Sequence, residues 1–347
     1  MRYKNVYLDT ISYALPEERI NTRDLEEKLR PLYQQLKIPL GQLEYMTGIR
    51  QRRWWPKKFQ LSDGALLAAE KALHNSQVMA SELDALVYTG VCRDQFEPAT
   101  ACRVAALLGM KSDAWVYDIS NACLGVLNGI VDLANRIELG QITCGMVVSC
   151  EDARTINEAS IERMLRENNL DAFKSCLATL TGGSGAVAVI LTSRERSHSQ
   201  AHQLIGGAVR HAAEHHQLCQ WGIKRAPNDL WEQYLNTDAV QVLQQGVRLG
   251  VATWRAFTEE LQWNPQDIDR VVTHQVGKSH RDTILRNLEI PVEKDYSTFE
   301  YLGNIGTVSL PISAAIAAEN GFLQPGHRVS LLGIGSGLNC LMLGVAW

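Results

Sequence analysis

One stretch constrains this chain more than any other: residues 118–140, DISNACLGVLNGIVDLANRIELG. Between Leu124 and Leu139 the apolar residues Leu124, Val126, Leu127, Ile130, Val131, Leu133, Ala134 and Ile137 cover more than one side of a helical wheel, with few charges among them. A helix with that pattern is buried on most faces. The apolar run WVYD just before it reads as a short strand, and the turn between strand and helix carries Ser120, Asn121, Ala122 and Cys123. A thiol at the first turn of a buried helix meets unpaired N–H groups and the helix dipole, which are expected to lower its pKa and favour the thiolate. Cys123 is therefore the candidate nucleophile. The plainer reading is a core-filling cysteine, since free Cys is most often buried and inert.

The 347 residues suffice for two ordinary domains or one large duplicated fold. With 46% hydrophobic and 21% charged residues, nothing suggests disorder. A net charge of −4 without a long Lys/Arg run argues against a nucleic-acid or anionic-membrane binder. The opening MRYKNVYLDT lacks the apolar core of a signal peptide, and no apolar run is long enough for a transmembrane segment, so a soluble cytoplasmic protein is expected. Eight cysteines without a C-x-x-C pair or regular spacing point to reduced thiols rather than a disulfide framework or a zinc site.

Taken in order, residues 3–14 start as a strand, residues 21–35 read as a capped helix and 40–47 as a second one. TGIRQRRWW follows, with Arg50, Arg52 and Arg53 as a basic cluster suited either to a solvated turn or to phosphate contacts. The pattern predicts a helix over 62–75 and a strand at 83–91, LDALVYTGV. That strand has an echo 185 residues on, IDRVVTHQV at 268–276, and at the same offset MVVSC (146–150) meets LLGIG (331–335). Two matches at one offset indicate duplication: a half at 1–195 carrying the cysteine and a half at 196–347, each alternating strands with helices. Residues 156–177 read as an amphipathic helix pair, and 229–262 as a long helical region.

The second half supplies partners for the thiol. His274 stands at the C-terminal tip of a strand, the end of a parallel sheet where ligands bind. Asn304 lies in the Gly-flanked turn of YLGNIGTVSLPISAAIAAENG, before another apolar helix; subtracting the offset places that turn over the Cys123 turn. A pseudo-twofold would face the two turns toward each other and bring Cys123, His274 and Asn304 together. Other strings carry less. His211-Ala-Ala-Glu-His215 fits H-x-x-E-H but lacks a long helix and a third ligand, so no metal site is expected. GIGSGLN (333–339) and TGGSG (181–185) each precede a strand, so neither offers a helix N-terminus to a dinucleotide.

With these pieces assembled, the chain resembles the thiolase superfamily in its branch of β-ketoacyl synthase III-like condensing enzymes. TGIRQRR, DISNACLG, the His274-Gln275 pair, GNIGTVS and GIGSG carry the resemblance over essentially the whole length. It implies an α/β fold of layers αβαβα, two pseudo-twofold halves with mixed five-stranded sheets, and a homodimer. The chain departs from the initiating synthase at His274-Gln275-Val276-Gly277 and Ala122-Cys123-Leu124-Gly125. RDQFEPAT places Glu97 where the synthase has an apolar residue reaching across the dimer. Asn-Ala-Cys-Leu-Gly, the carboxylate before Pro98 and the stretch LTGGSGAVAV look most like the OleA group, the head-to-head acyl-CoA condensing enzymes of olefin biosynthesis.

The resemblance implies a Claisen condensation of two fatty acyl-CoA thioesters through an acyl-Cys123 intermediate, giving a long-chain β-keto acid with no cofactor. Glu97, reaching the partner subunit's site with its pKa raised by desolvation, would be the base. His274 and Asn304 would stabilise the enolate, and the backbone N–H groups of Cys123 and Ser336 the thioester oxyanion. Arg50, Arg52 and Arg53 are the candidates for CoA phosphates, although Gln42 stands where the synthase stacks a tryptophan on adenine. Acyl carrier protein or downstream pathway enzymes are further partners. The alternatives are a malonyl-dependent synthase III using acyl carrier protein, a hydroxymethylglutaryl-CoA-synthase-like reaction, and a non-catalytic acyl-binding homologue.

Overall fold

The computed structural model describes residues 1–198, 201–225, 229 and 231–347. Five strands of the main sheet come from the first half: β1 (Val6–Ala14), β2 (Ala85–Thr89), β3 (Trp115–Ile119), β4 (Cys144–Glu151) and β5 (Gly185–Ser193), in the order β1-β5-β4-β2-β3. Four come from the second: β6 (His202–His211), β7 (Arg270–Thr273), β8 (Arg328–Gly335) and β9 (Asn339–Ala346), in the order β6-β9-β8-β7. Directions correspond position by position. The pairs β2/β4 and β7/β8 are parallel, and β4/β5, β5/β1, β8/β9 and β9/β6 are antiparallel.

Two features differ from separate five-stranded sheets. The counterpart of β3 in the second half shrinks to a single parallel bridge, Val271 to Asp295, because the chain there is a short 3₁₀ turn after Pro291. The two edge strands also meet, Tyr7 opposite Gln203 and Leu8 opposite His202, so the hydrogen bonding runs through one nine-stranded sheet.

Six helices complete the layers: α1 (Leu61–Ser76), α2 (Thr100–Leu108), α3 (Gly125–Glu138), α4 (Ala239–Leu261), α5 (Lys278–Asn287) and α6 (Ser309–Glu319). Ala65, Ala69 and Val104 pack α1 and α2 on the outer face of the first half, and Phe257 and Ile284 pack α4 and α5 on that of the second. Between the halves, one core cluster joins Val87, Val147 and Val189 to Leu331, Leu341 and Leu343 through residues of both α3 and α6. Being covered on both faces explains why β5 reads GAVAVILTS, buried throughout, and not as an alternating strand. It also explains why α6 is buried without interruption from Ser309 to Ala317. Each Leu or Ile so enclosed contributes about 1.5–3 kcal/mol.

The helix expected over 21–35 is two, Thr22–Lys28 and Arg30–Leu36, divided just before Pro31, which lacks the N–H to continue the ladder. The helical region expected from 229 starts only at Ala239. Ahead of it Trp231–Thr237 pairs antiparallel with Cys219–Arg225 as a hairpin. No helix among the described residues is long and apolar enough to cross a membrane.

Candidate active site

The thiol sits where strand, turn and helix meet. β3 ends at Ile119, a 3₁₀ turn runs from Ala122 to Leu124, and α3 follows directly. Ala122 has φ +44°, a left-handed conformation that costs an L-residue energy and that clusters at functional sites. Cys123 is half-buried. The backbone N–H groups of Cys123 and of Ser336 both donate toward its sulfur, so two donors converge on one point at the end of β8. Gly335 makes this possible: a Cβ there would lie 3.2 Å from Cys123 N and 3.3 Å from Cys123 Cβ.

The expected low thiol pKa is not observed. Burial pushes it up to about 12, helped by the neighbouring Cys219 and Glu151, and the two N–H donors only partly oppose the rise. The helix-end argument fails because stripping water from a thiolate costs more than two N–H dipoles return.

β8 is also the wall that brings His274 near. The N–H of His274 donates to Leu332 O at 3.0 Å, immediately before the Gly333-Ile334-Gly335 run that ends at the thiol. The imidazole is buried. Desolvation, with His280 nearby, depresses its pKa to about 3, so it is neutral at physiological pH. Asn304 is held by its backbone: its N–H donates to Thr181 O at 2.8 Å and its carbonyl accepts from Gly183 N at 2.9 Å. Its Oδ1 accepts from Gly306 N at 3.1 Å, which leaves the Nδ2 hydrogens without a protein acceptor among the described residues. The Asn304 turn touches the cysteine helix through Thr307, whose Oγ1 accepts from Val126 N at 2.8 Å. Thus β8 carries Ser336 beside Cys123 at its end and accepts the N–H of His274 at Leu332, while the turn after Asn304 is bonded to the cysteine helix.

A further residue of this region was not singled out by the sequence. Glu151, at the end of β4, is a buried carboxylate accepting the N–H of Val91 at 3.0 Å, of Cys92 at 3.2 Å, and that of Thr307. Gly306 lies so close that a Cβ there would stand 3.3 Å from its carboxyl carbon. Burial raises the pKa of Glu151. It ties the loop that leads to Glu97 to the turn that follows Asn304. Its position after a wholly buried strand was the available signal, and only an acid in that place distinguishes it.

Glu97 itself is exposed on the loop between β2 and α2, beside Phe96, which is 89% exposed. In the single chain, then, the carboxylate is not in the group around Cys123. Of the three arginines, Arg52 has to be withdrawn as a CoA contact: it is fully buried, its guanidinium donating to Thr22 Oγ1 and Leu180 O at 2.9 Å each. Alternation along the strand Gln51–Trp54 turns it inward. Arg53 donates to Pro16 O, and Arg50 is exposed and paired with Glu300 at 2.9 Å. His211 and His215 lie on a strand end and a short turn, and the described residues contain no cluster of three or more metal-ligating side chains.

Comparison with known proteins agrees with this geometry. The family model for the C-terminal part of 3-oxoacyl-[acyl-carrier-protein] synthase III matches residues 258–347. Over the whole of both chains the protein is 53% identical to the acyl-CoA:acyl-CoA alkyltransferase of Shewanella oneidensis and 34% identical to that of Xanthomonas campestris pv. campestris. A crystal structure of Xanthomonas campestris OleA, with its cysteine changed to serine and with lauric acid and lauroyl-CoA bound, superposes with a TM-score of 0.93. It is 33% identical and is matched over 99% of this chain and 100% of that one. OleA has also been solved with a glutamate changed to glutamine that precedes this cysteine by 26 residues, the separation of Glu97 from Cys123 here. The chain therefore belongs to the acyl-CoA:acyl-CoA alkyltransferase family, the OleA group of thiolase-fold, synthase III-like condensing enzymes.

Proposed function

We propose that the protein joins two fatty acyl-CoA thioesters head to head, without decarboxylation and without a cofactor, and that hydrolysis then releases a long-chain β-keto acid. The observation that carries this reading is the pair of backbone N–H donors acting on Cys123 at the end of the strand to which a neutral His274 is also bonded.

In the first step Cys123 Sγ attacks the thioester carbonyl, and the oxyanion rests on the N–H groups of Cys123 and Ser336. The C–S bond to CoA breaks, and the proton the thiol gives up ends on the departing CoA sulfur. A thiol whose pKa is pushed up to about 12 gives up that proton only as the sulfur attacks, so it stays unreactive until acyl-CoA is in place. In the second step Glu97 of a second copy takes a Cα proton from another acyl-CoA, and the enolate oxygen accepts hydrogen bonds from His274 and Asn304, each well-placed donor being worth about 3–4 kcal/mol. The carbanion then attacks the acyl-Cys123 carbonyl. A carbon–carbon bond forms, the carbon–sulfur bond breaks, and the Glu97 proton returns the cysteine to its thiol.

The homodimer is part of the proposal. A loop tip bearing an 89% exposed Phe96 beside the acid gains by burying that ring against a partner. The halves at 1–195 and 196–347 supply the nucleophile and the enolate donors respectively. Arg50 and Arg53 are the residues left for CoA phosphates, and the cytoplasm is the expected compartment.

Glu97→Gln retains acylation of Cys123, seen by intact-protein mass, and loses condensation; condensation at the native rate would refute the base assignment. The match of residues 258–347 favours one second reading, a malonyl-dependent synthase III working with acyl carrier protein. Incubation with acyl-CoA alone separates the two, because a condensed product without malonyl donor excludes the second.

A further inference from the structure

A cavity of about 20 Å³ adjoins His274, lined by Thr273, His274, His280, Leu332, Cys340 and Met342 among others. His280 comes from the first turns of α5. The Nδ1 atoms of both histidines are sealed from solvent, and neither has a protein hydrogen-bond partner. Both rings are neutral: burial depresses His280 to about 4, and His274 to about 3. A neutral imidazole has one N–H and one bare acceptor nitrogen. Enclosing both Nδ1 atoms unpaired is costly, and two adjacent orphans are exceptional in a native interior.

The role proposed above for His274 needs its proton on Nε2, which leaves Nδ1 as an acceptor in want of a donor. The lining offers few. The Thr273 hydroxyl is committed to Asp295 Oδ1 at 3.1 Å, and Leu332 and Met342 have no side-chain donor. The cavity itself is the right size, since the centre of one water needs about 10–15 Å³. We propose that one buried water in this cavity accepts from His280 Nδ1–H and donates to His274 Nδ1, so that His280 is the positioning residue that fixes His274 as its Nε2–H tautomer. The inference rests on the reading of His274 as an enolate donor, but the tautomer can be measured without any turnover.

Protein labelled with [15N]histidine reports each ring's tautomer through two-bond 1H–15N correlations, with His274 assigned by its loss in His274→Gln. The native enzyme shows Nε2–H at His274. His280→Phe removes the bridge, shifts His274 toward Nδ1–H, and lowers condensation about tenfold while acylation of Cys123 stays within about twofold, the range seen when an orienting partner is removed. His280→Gln, which can donate from its amide, restores both tautomer and rate. A crystal structure of the native enzyme shows a water within hydrogen-bond distance of both Nδ1 atoms. The proposal is overturned if native His274 is the Nδ1–H tautomer, or if His280→Phe leaves tautomer and condensation unchanged. A shifted tautomer with unchanged condensation would uphold the bridge and overturn the catalytic role of His274.

Discussion

Gly335→Ala tests whether the end of β8 sets the position of the nucleophile. The added methyl would stand 3.2 Å from Cys123 N, 3.3 Å from Cys123 Cβ and 3.5 Å from Leu124 Cγ. Unstrained contacts of this kind lie at about 3.5–4.0 Å, so the cysteine turn and the strand end must part by roughly half an ångström. Gly335 is not in the left-handed region, so backbone strain adds nothing. The donors at risk are the N–H groups of Cys123 and Ser336, which both act on the sulfur. Complete loss of one oxyanion donor costs about 2.7–4 kcal/mol, and half of that is an acylation rate lower by about 10–30-fold. Rapid-quench mass analysis of the acyl-enzyme formed with a long-chain acyl-CoA measures that step alone. Because overpacking also costs about 1–3 kcal/mol of stability, the assay is run well below the variant's melting temperature. Acylation within twofold of native in a folded Gly335→Ala protein would refute the placement of the oxyanion donors.

Further outcomes concern two buried ionisable groups. Glu151→Gln puts an amide NH2 against backbone N–H groups at Val91 and Cys92, leaving one unpaired at about 1–3 kcal/mol; calorimetry shows a melting point lower by about 2–5 °C. The same change removes a negative charge beside Cys123, so iodoacetamide modifies the thiol faster at pH 8 than in the native protein, which a purely structural Glu151 would not bring about. For His274, the folded-state pKa lies below that of the unfolded chain, so its contribution to stability is present above pH 6.5 and is lost as pH falls toward about 3. Its ring resonances therefore stay constant from pH 8 to 5, and a titration midpoint near 6.5 would contradict the buried, neutral assignment.

What could be read from the chain alone was what depends on neighbours in sequence. The strand-turn-helix around Cys123, the strand-tip His274 and the glycines flanking Asn304 and Ser336 are local signals, and the 185-residue echo related the two halves. Local signals also misled. Trp231, Tyr234 and Leu235 have helical spacing, yet the segment is a strand because it pairs with Cys219–Arg225. Arg52 stands in a run of cations that looks solvated, and only its burial against Leu180 makes it structural. Burial is a property of the folded molecule, which is why tertiary structure alone decided that Cys123 is a protonated thiol, that Glu151 binds two loops, and that His274 shares a small cavity with His280. Desolvation energies depend on what surrounds an atom in space, and no spacing along the chain encodes them.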